Sequence, residues 1–110
     1  MRPFSLYLSR EEPIFTPSQL YNCCSGEREP DWTRFTNLEL CGCIDAAEPG
    51  SSSTMIEGGI TRDKAQFFTI YGRSAEDGCE AITDCLGLLD AEIIALHLCE
   101  VSKLTLEIVC

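Results

Sequence analysis

Apolar and polar residues alternate with period two in several short stretches of the chain, a pattern typical of strands that bury one face. This alternation predicts strands at residues 4–9, 38–45 and 104–110. Residues 67–73 are rich in aromatic and β-branched residues and predict a further strand, with which residues 79–84 can pair. The linker between them, residues 74–78, ends in Asp77-Gly78 and predicts a hairpin with a five-residue loop, since glycine readily supplies a positive φ.

A long stretch without proline or glycine, residues 88–103, predicts a helix. At about 100° per residue, one narrow arc of this helix is apolar and is predicted to face the sheet. That arc consists of Ala91, Ile94, Leu98 and Val101, with Leu88 and Ala95 beside them. The opposite side combines aliphatic with charged and polar residues, namely Leu89, Ile93 and Leu96 with Asp90, Glu92, His97, Glu100 and Lys103.

Local signals predict the remaining segments. Thr16-Pro17-Ser18-Gln19 has the residue types of a capping box and predicts a short helix near residues 17–23. Residues 25–37 are predicted to form a loop fixed by two aromatic residues, Trp32 and Phe35. The composition of residues 48–54 predicts a flexible connection, and Gly58-Gly59 predicts a second break in regular structure.

Together these elements predict an α+β fold with an antiparallel sheet of four to five strands. One long C-terminal helix packs on one face of the sheet, and a short helix lies near the N-terminus. Division of the chain at the 48–54 loop would leave neither half enough residues for a hydrophobic core. We therefore predict a single domain over residues 1–110.

The net charge of the chain limits the classes of partner that it can bind. The chain has 18 Asp and Glu residues against 8 Lys and Arg residues, a formal net charge of −10, while 45% of its residues are hydrophobic. That apolar fraction supports a folded core, and the negative charge repels phosphates and anionic lipids. The sequence therefore predicts neither direct nucleic acid binding nor membrane binding. It favours a basic protein, such as one that itself holds nucleic acid.

The negative charge is concentrated in residues 75–107, where eight carboxylates face a single lysine, a net charge of −7. This segment also contains the three aliphatic residues on the polar side of the predicted helix. One interpretation is a solvated surface whose aliphatic residues pack beneath the N-terminal segment. The other is a contact surface for a partner or a second copy of the chain. The candidate partner-binding residues are Glu76, Asp77, Glu80, Asp84, Asp90, Glu92, Glu100, Leu89, Ile93 and Leu96.

Eight cysteines and one histidine invite a search for zinc, because thiolate and imidazole are its preferred ligands. The spacings Cys41-x-Cys43 and His97-x-Cys99 lack the two intervening residues of a zinc knuckle. On a helix, His97 and Cys99 lie about 200° apart and cannot meet as base and nucleophile. The sequence therefore predicts no metal site and no cofactor, and it favours reduced thiols that fill the core.

Carboxylates near the predicted hairpin were the remaining candidates for catalysis. Strand alternation predicts that Glu80 and Asp84 share the face opposite Cys79 and Cys85. Two-carboxylate hydrolysis or a divalent cation could use such a pair, but no pattern indicates a pocket that would separate the two pKa values. The chain is predicted not to be an enzyme.

The N-terminal residues do not have the apolar run of a signal peptide, and no run reaches the 18 or more apolar residues of a membrane span. We therefore expect a cytoplasmic protein. In its short length, strong acidity, few strands with one main helix and lack of a catalytic signature, the chain resembles small inhibitor proteins of phages and mobile elements, including anti-CRISPR proteins and nucleic acid mimics. The resemblance is one of general character and gives no residue correspondence. A phage origin would place the protein in the host cytoplasm.

The resemblance implies that carboxylates of residues 75–107 occupy the Lys/Arg channel of a nucleic-acid-binding effector, with Leu89, Ile93 and Leu96 as the desolvated centre. The predicted function is thus non-enzymatic binding and inhibition of such an effector, by charge mimicry or by steric blocking. One alternative is a zinc-stabilised or thiol-dependent interaction module. Another is a small enzyme or ligand-binding domain.

Overall fold

A computed structural model describes residues 15–110, which form a five-stranded sheet with one long helix packed on one face. The predicted α+β fold is confirmed. The strand predicted at residues 4–9 lies outside the described residues. The elements are α1 (Pro17–Leu20), β1 (Asn37–Asp45), β2 (Ile56–Ile60), β3 (Phe67–Ser74), β4 (Gly78–Cys85), α2 (Leu88–Ser102) and β5 (Leu106–Ile108), with 3₁₀ turns at Ser25–Glu27 and Trp32–Arg34.

The sheet has the strand order β2-β1-β3-β4, and each of these neighbouring pairs is antiparallel. β1 is central and uses one edge for β3. On its other edge, the first half of β1 pairs with β5 and the second half with β2. β5 runs parallel to β1, with Leu106 opposite Leu38. Alternation along β5 predicted a strand there but carried no information about this parallel partner.

The core lies between α2 and the sheet. The buried side chains of α2 are Ala91, Ile94, Ala95 and Leu98, which are four of the six residues predicted to face the sheet. They form one cluster with β-strand residues that are completely buried, among them Leu38, Leu40, Ile70 and Ile82. The helix can be this apolar on one side because the sheet presents a matching aliphatic face.

Val101 was predicted to face the sheet, and this prediction is wrong, because the residue is 41% exposed. It lies on the same side of α2 as Ile94, about two turns closer to the C-terminus. The segment that contains Phe15 and α1 lies beside Ile94, and this segment and α2 together line a groove. α2 ends at Ser102, so Val101 occupies the last turn, beyond that segment.

α1 is shorter than predicted, although its capping box is present. The Thr16 side chain accepts from the Gln19 backbone N–H, and the Gln19 side chain accepts from the Thr16 backbone N–H. The helix ends at Leu20 because the following residues pair with β4 instead. Asn22 donates its side-chain amide to the Ser18 and Asp84 carbonyls and accepts from the Asp84 N–H. This clamp fixes α1 against the end of β4.

Gly58 and Gly59 were predicted to break regular structure, and this prediction is wrong, because both lie within β2. The close approach of β2 to β1 depends on Gly42 of β1 instead, because a Cβ there would clash with the Ile60 carbonyl oxygen. The Gly59 N–H donates to Cys41 Sγ at 2.9 Å, and Gly59 has a φ of +72° that favours glycine. The pairing of β1 with β2 is irregular between Gly42 and Ile44, as expected for such a site.

The loop before β1 is fixed by its two aromatic residues, as predicted. Phe35 is buried, and its ring is edge-on to that of Trp32 at a centroid distance of 6.4 Å. Gly72 makes room for this arrangement, since a Cβ there would lie 2.7 Å from atoms of the Phe35 ring. The loop therefore covers the end of the sheet that α2 leaves uncovered.

Candidate functional site on the exposed face of α2

The face of α2 directed away from the sheet has a row of exposed aliphatic side chains. Leu89 is 69% exposed, Ile93 44% and Leu96 61%. Leu86, just before the helix, is the most exposed large aliphatic residue of the described chain. We call Leu86, Leu89, Ile93 and Leu96 the α2 stripe. The structure thus brings together the three aliphatic residues predicted from sequence and adds a fourth.

Leu86 was missed because residues were assigned to the stripe only within the predicted helix. The signal was nevertheless present in the sequence. Leu86, Leu89, Ile93 and Leu96 are separated by three, four and three residues, the spacing of the apolar positions in a heptad repeat. Gly87, the N-cap of α2, has an extended backbone conformation, so Leu86 lies outside the helix and adjoins the stripe just before α2 begins.

Carboxylates lie around the α2 stripe. With Ile93 as reference, Asp90 lies about 60° to one side of the helix and Glu92 about 100° to the other, while Glu100 continues the stripe toward the C-terminus. Within residues 15–110 the side-chain ion pairs are Arg34–Glu80 and Arg73–Glu39. Neither pair includes Asp90, Glu92 or Glu100. The stripe is therefore an apolar surface with negative charge on both sides.

A groove runs beside the stripe, between α1 and α2. It has a volume of about 500 Å³, and its apolar lining comes from Phe15, Leu86, Ile93 and Ile94. Asp84 and Asp90 also line the groove, together with Ser18, Gln19 and Asn22. The Phe15 ring packs at 5.0 Å from the ring of His97, which fixes one wall of the groove. The predicted site residues Ile93 and Asp90 therefore face a concave surface as well as open solvent.

Three of the other predicted carboxylates, Glu76, Asp77 and Glu80, lie away from the α2 stripe. Glu76 and Asp77 form the β3–β4 turn, where both backbone N–H groups donate to Ser74 Oγ. This turn is at the opposite end of β4 from the start of α2. Glu80 forms a two-pronged pair with Arg34, at 2.9 and 3.0 Å, which holds the pKa of its carboxyl below the usual value. These residues do not form one surface with α2.

Glu80 and Asp84 were predicted to share a strand face, and this prediction is wrong. A register shift between Ile70 and Tyr71 places Glu80 opposite Gly72 and Asp84 opposite Thr69. Gly72 faces the core beside Phe35, whereas Asp84 accepts a 2.6 Å hydrogen bond from Thr69 on the other face of the sheet. The bulge reverses the alternation along β4, so these two carboxylates do not make a catalytic pair.

The second sheet face, away from α2, contains a row of polar and thiol groups. Cys43 donates to Thr69 Oγ1 at 3.3 Å, and its Sγ lies 3.6 Å from the Tyr71 hydroxyl. Glu39 pairs with Arg73. Burial raises the pKa of Tyr71 and of Cys41, so these groups are neutral at physiological pH. The arrangement satisfies the polar groups internally and supplies no ionised nucleophile.

The eight cysteines are free thiols in three environments. Cys41, Cys43 and Cys85 are buried as predicted, and Cys24, Cys99 and Cys110 are partly buried. Cys23 and Cys79 are exposed, so core filling does not explain them. Burial raises the pKa of Cys85 to about 11; burial and the adjacent Asp84 carboxylate raise that of Cys23 to about 12. Thiolate chemistry is therefore disfavoured at both positions.

The described part of the chain, residues 15–110, has no cluster of three or more His, Cys, Asp or Glu side chains arranged to hold a metal ion. Among the same residues, no helix is both long enough and apolar enough to cross a membrane. Comparisons with protein-family models, with curated proteins and with solved structures found no match to this chain.

Proposed function

We propose that this protein is a non-enzymatic inhibitor that binds a basic partner through the exposed face of α2. The observation that supports this proposal is the combination of an exposed aliphatic stripe with carboxylates on both sides, on a helix whose opposite face is buried. A stripe of this kind loses unfavourable contact with water when it is covered. The surrounding carboxylates select a covering surface that is positively charged.

The partner class that we propose is a nucleic-acid-binding effector, most concretely a CRISPR effector complex. Such a complex holds nucleic acid in a channel lined with Lys and Arg. The three carboxylates of α2 would pair with residues of that channel, while the stripe supplies the desolvated centre on which affinity depends. A net charge of −10 supports this choice, since it disfavours binding to the nucleic acid itself.

A second copy of this chain suits the α2 surface less well. In a symmetric dimer through the stripe, Asp90, Glu92 and Glu100 of one copy would face carboxylates of the other. Like charges brought together at an interface oppose association. A basic partner removes this repulsion.

The proposal predicts the effect of reversing the α2 charges. We expect the combined variant Asp90→Lys, Glu92→Lys and Glu100→Lys to lose inhibition of target cleavage by purified CRISPR effector–guide RNA complexes, with at least about a tenfold weaker affinity. The thermal midpoint should change little, because neither ion pair of the described chain involves these residues. Inhibition by the unaltered chain should also weaken with added salt.

A matched control separates local from overall charge. The variant Glu48→Lys, Glu57→Lys and Asp63→Lys changes the net charge by the same amount at exposed positions on and near β2. It should keep the affinity of the unaltered chain. Equal loss in both variants would assign the effect to net charge, and full activity of the α2 variant would remove the proposed surface. Inhibition that does not respond to salt would exclude charge mimicry and leave steric blocking.

A further inference from the structure

We infer that the element of the partner that binds the α2 stripe is a basic amphipathic helix, packed alongside α2. This inference rests on the proposed function and specifies it further, because it names the kind of structure recognised. Three features of the described residues carry it. They are the spacing of the stripe, the position of the carboxylates and the adjacent groove.

The spacing fits helix-to-helix packing. Leu86, Leu89, Ile93 and Leu96 follow one another at separations of three, four and three residues, which creates the ridges and holes that accept side chains of a second helix. Within α2 the stripe runs from Leu89 to Leu96, about 10 Å at 1.5 Å per residue, and Leu86 extends it just before the helix. It therefore matches at least about two turns of a partner helix.

A helix is also the form of backbone that this surface can accept. The backbone N–H and C=O groups in the middle of α2 bond within the helix, so α2 offers no backbone donors or acceptors to a partner. An extended segment laid across the stripe would bury its own N–H and C=O groups without partners, which is unfavourable for each group. A helix satisfies those groups internally and buries only its side chains.

The carboxylates define the charge pattern of the partner helix. Asp90 lies on the groove side of the stripe and Glu92 on the other side, while Glu100 lies at its C-terminal end. A partner helix with aliphatic residues on its inner face then needs Lys or Arg on both flanks. An acidic or neutral amphipathic helix would leave these carboxylates desolvated without a counter-charge.

The groove supplies an anchor point. Its volume of about 500 Å³ lies directly beside Ile93 and has Phe15, Leu86 and Ile94 in its apolar lining. This space is large enough for one bulky side chain that projects from the edge of the partner helix. Asp90 also lines the groove, so a basic residue adjacent to the bulky one would be held there as well.

Two synthetic peptides of identical composition test the inference. Both contain 18 residues of Leu and Lys in equal proportion, one arranged with the 3.5-residue period of an amphipathic helix and the other with the two-residue period of a strand. Binding of each labelled peptide to the full chain is measured by fluorescence anisotropy below the concentration at which the peptides self-associate. We expect the helical peptide to bind at least about tenfold more tightly. A peptide with Glu in place of Lys should not bind.

Variants of the protein locate the binding. Ile93→Asp and Leu96→Asp, the second at the more exposed position, should each weaken binding of the helical peptide at least about tenfold. Met55→Asp, at an exposed hydrophobic position next to β2, should leave binding of this peptide unchanged. Equal binding of the two peptides, with the same dependence on Ile93, would overturn helix recognition and leave the proposed surface intact. Failure of both peptides to bind, or binding unaffected by Ile93→Asp and Leu96→Asp, would overturn the inference and the proposed surface together.

Discussion

Leu98→Ala is expected to lower the free energy of unfolding by about 2–5 kcal/mol, and Leu96→Ala by less than about 0.5 kcal/mol. The two residues have the same side chain and lie two positions apart on α2. Leu98 is 0% exposed and belongs to the core cluster, while Leu96 is 61% exposed. The first substitution therefore leaves a cavity between α2 and the sheet, and the second removes a side chain that already contacts water.

Urea unfolding followed by circular dichroism measures both changes, and Trp32 fluorescence gives an independent probe of the loop that covers the end of the sheet. The dependence of the unfolding free energy on urea should be equal for the two variants, because neither alters the surface exposed on unfolding. A loss above about 1.5 kcal/mol for Leu96→Ala would show that Leu96 is buried within the protein. The stripe would then be part of the core. This is the outcome expected if the aliphatic residues pack beneath the N-terminal segment, the other interpretation of the sequence.

Gly42→Ala is expected to have the next largest effect, a loss of about 1–3 kcal/mol. Gly42 lies in β1 opposite Ile60 of β2, where an added Cβ would be 2.3 Å from the Ile60 carbonyl oxygen and 3.0 Å from the Ala65 Cβ. The carbonyl belongs to the backbone, so relief requires β2 to move away from β1 and weakens their hydrogen bonds.

Gly87→Ala provides the matched control for this substitution. A Cβ at Gly87 has no atom within 4 Å in its surroundings, and the residue has a φ of −109° that alanine adopts readily. Because alanine is a weaker N-cap than glycine, we expect a loss of up to about 1 kcal/mol, smaller than that of Gly42→Ala. Unfolding free energies of the two variants give the comparison directly. Equal stabilities would mean that β2 does not approach β1 as closely as the structure has it.

Local signals were sufficient to predict β1, β3, β4 and α2. β1 alternates with period two and α2 has helical periodicity, while β3 is rich in aromatic and β-branched residues and a short turn joins it to β4. β2 was not predicted because Gly58-Gly59 resembles a chain break. In the structure Gly59 stays within the strand with a φ of +72°, a conformation that favours glycine. The parallel pairing of β5 depends on where α2 returns the chain, which no local pattern encodes.

The candidate site was predicted in part for the same reason. Helical periodicity brings the α2 residues together correctly, including the carboxylates Asp90, Glu92 and Glu100. Glu76 and Asp77 lie in the turn at the far end of β4 and Glu80 pairs with Arg34, so these three do not join them. A bulge between Ile70 and Tyr71 also separates the strand face of Glu80 from that of Asp84. The groove beside Ile93 was not predicted, since it depends on the Asn22 clamp between α1 and β4.

Methyl NMR of the full chain during titration with the helical Leu/Lys peptide reports which aliphatic side chains contact a basic ligand. We expect large chemical-shift changes for the methyl groups of Leu86, Leu89, Ile93 and Leu96, and none for Ile56, which is exposed on β2. Changes at Ile56 with an unchanged α2 stripe would show that the exposed face of α2 is not the binding surface.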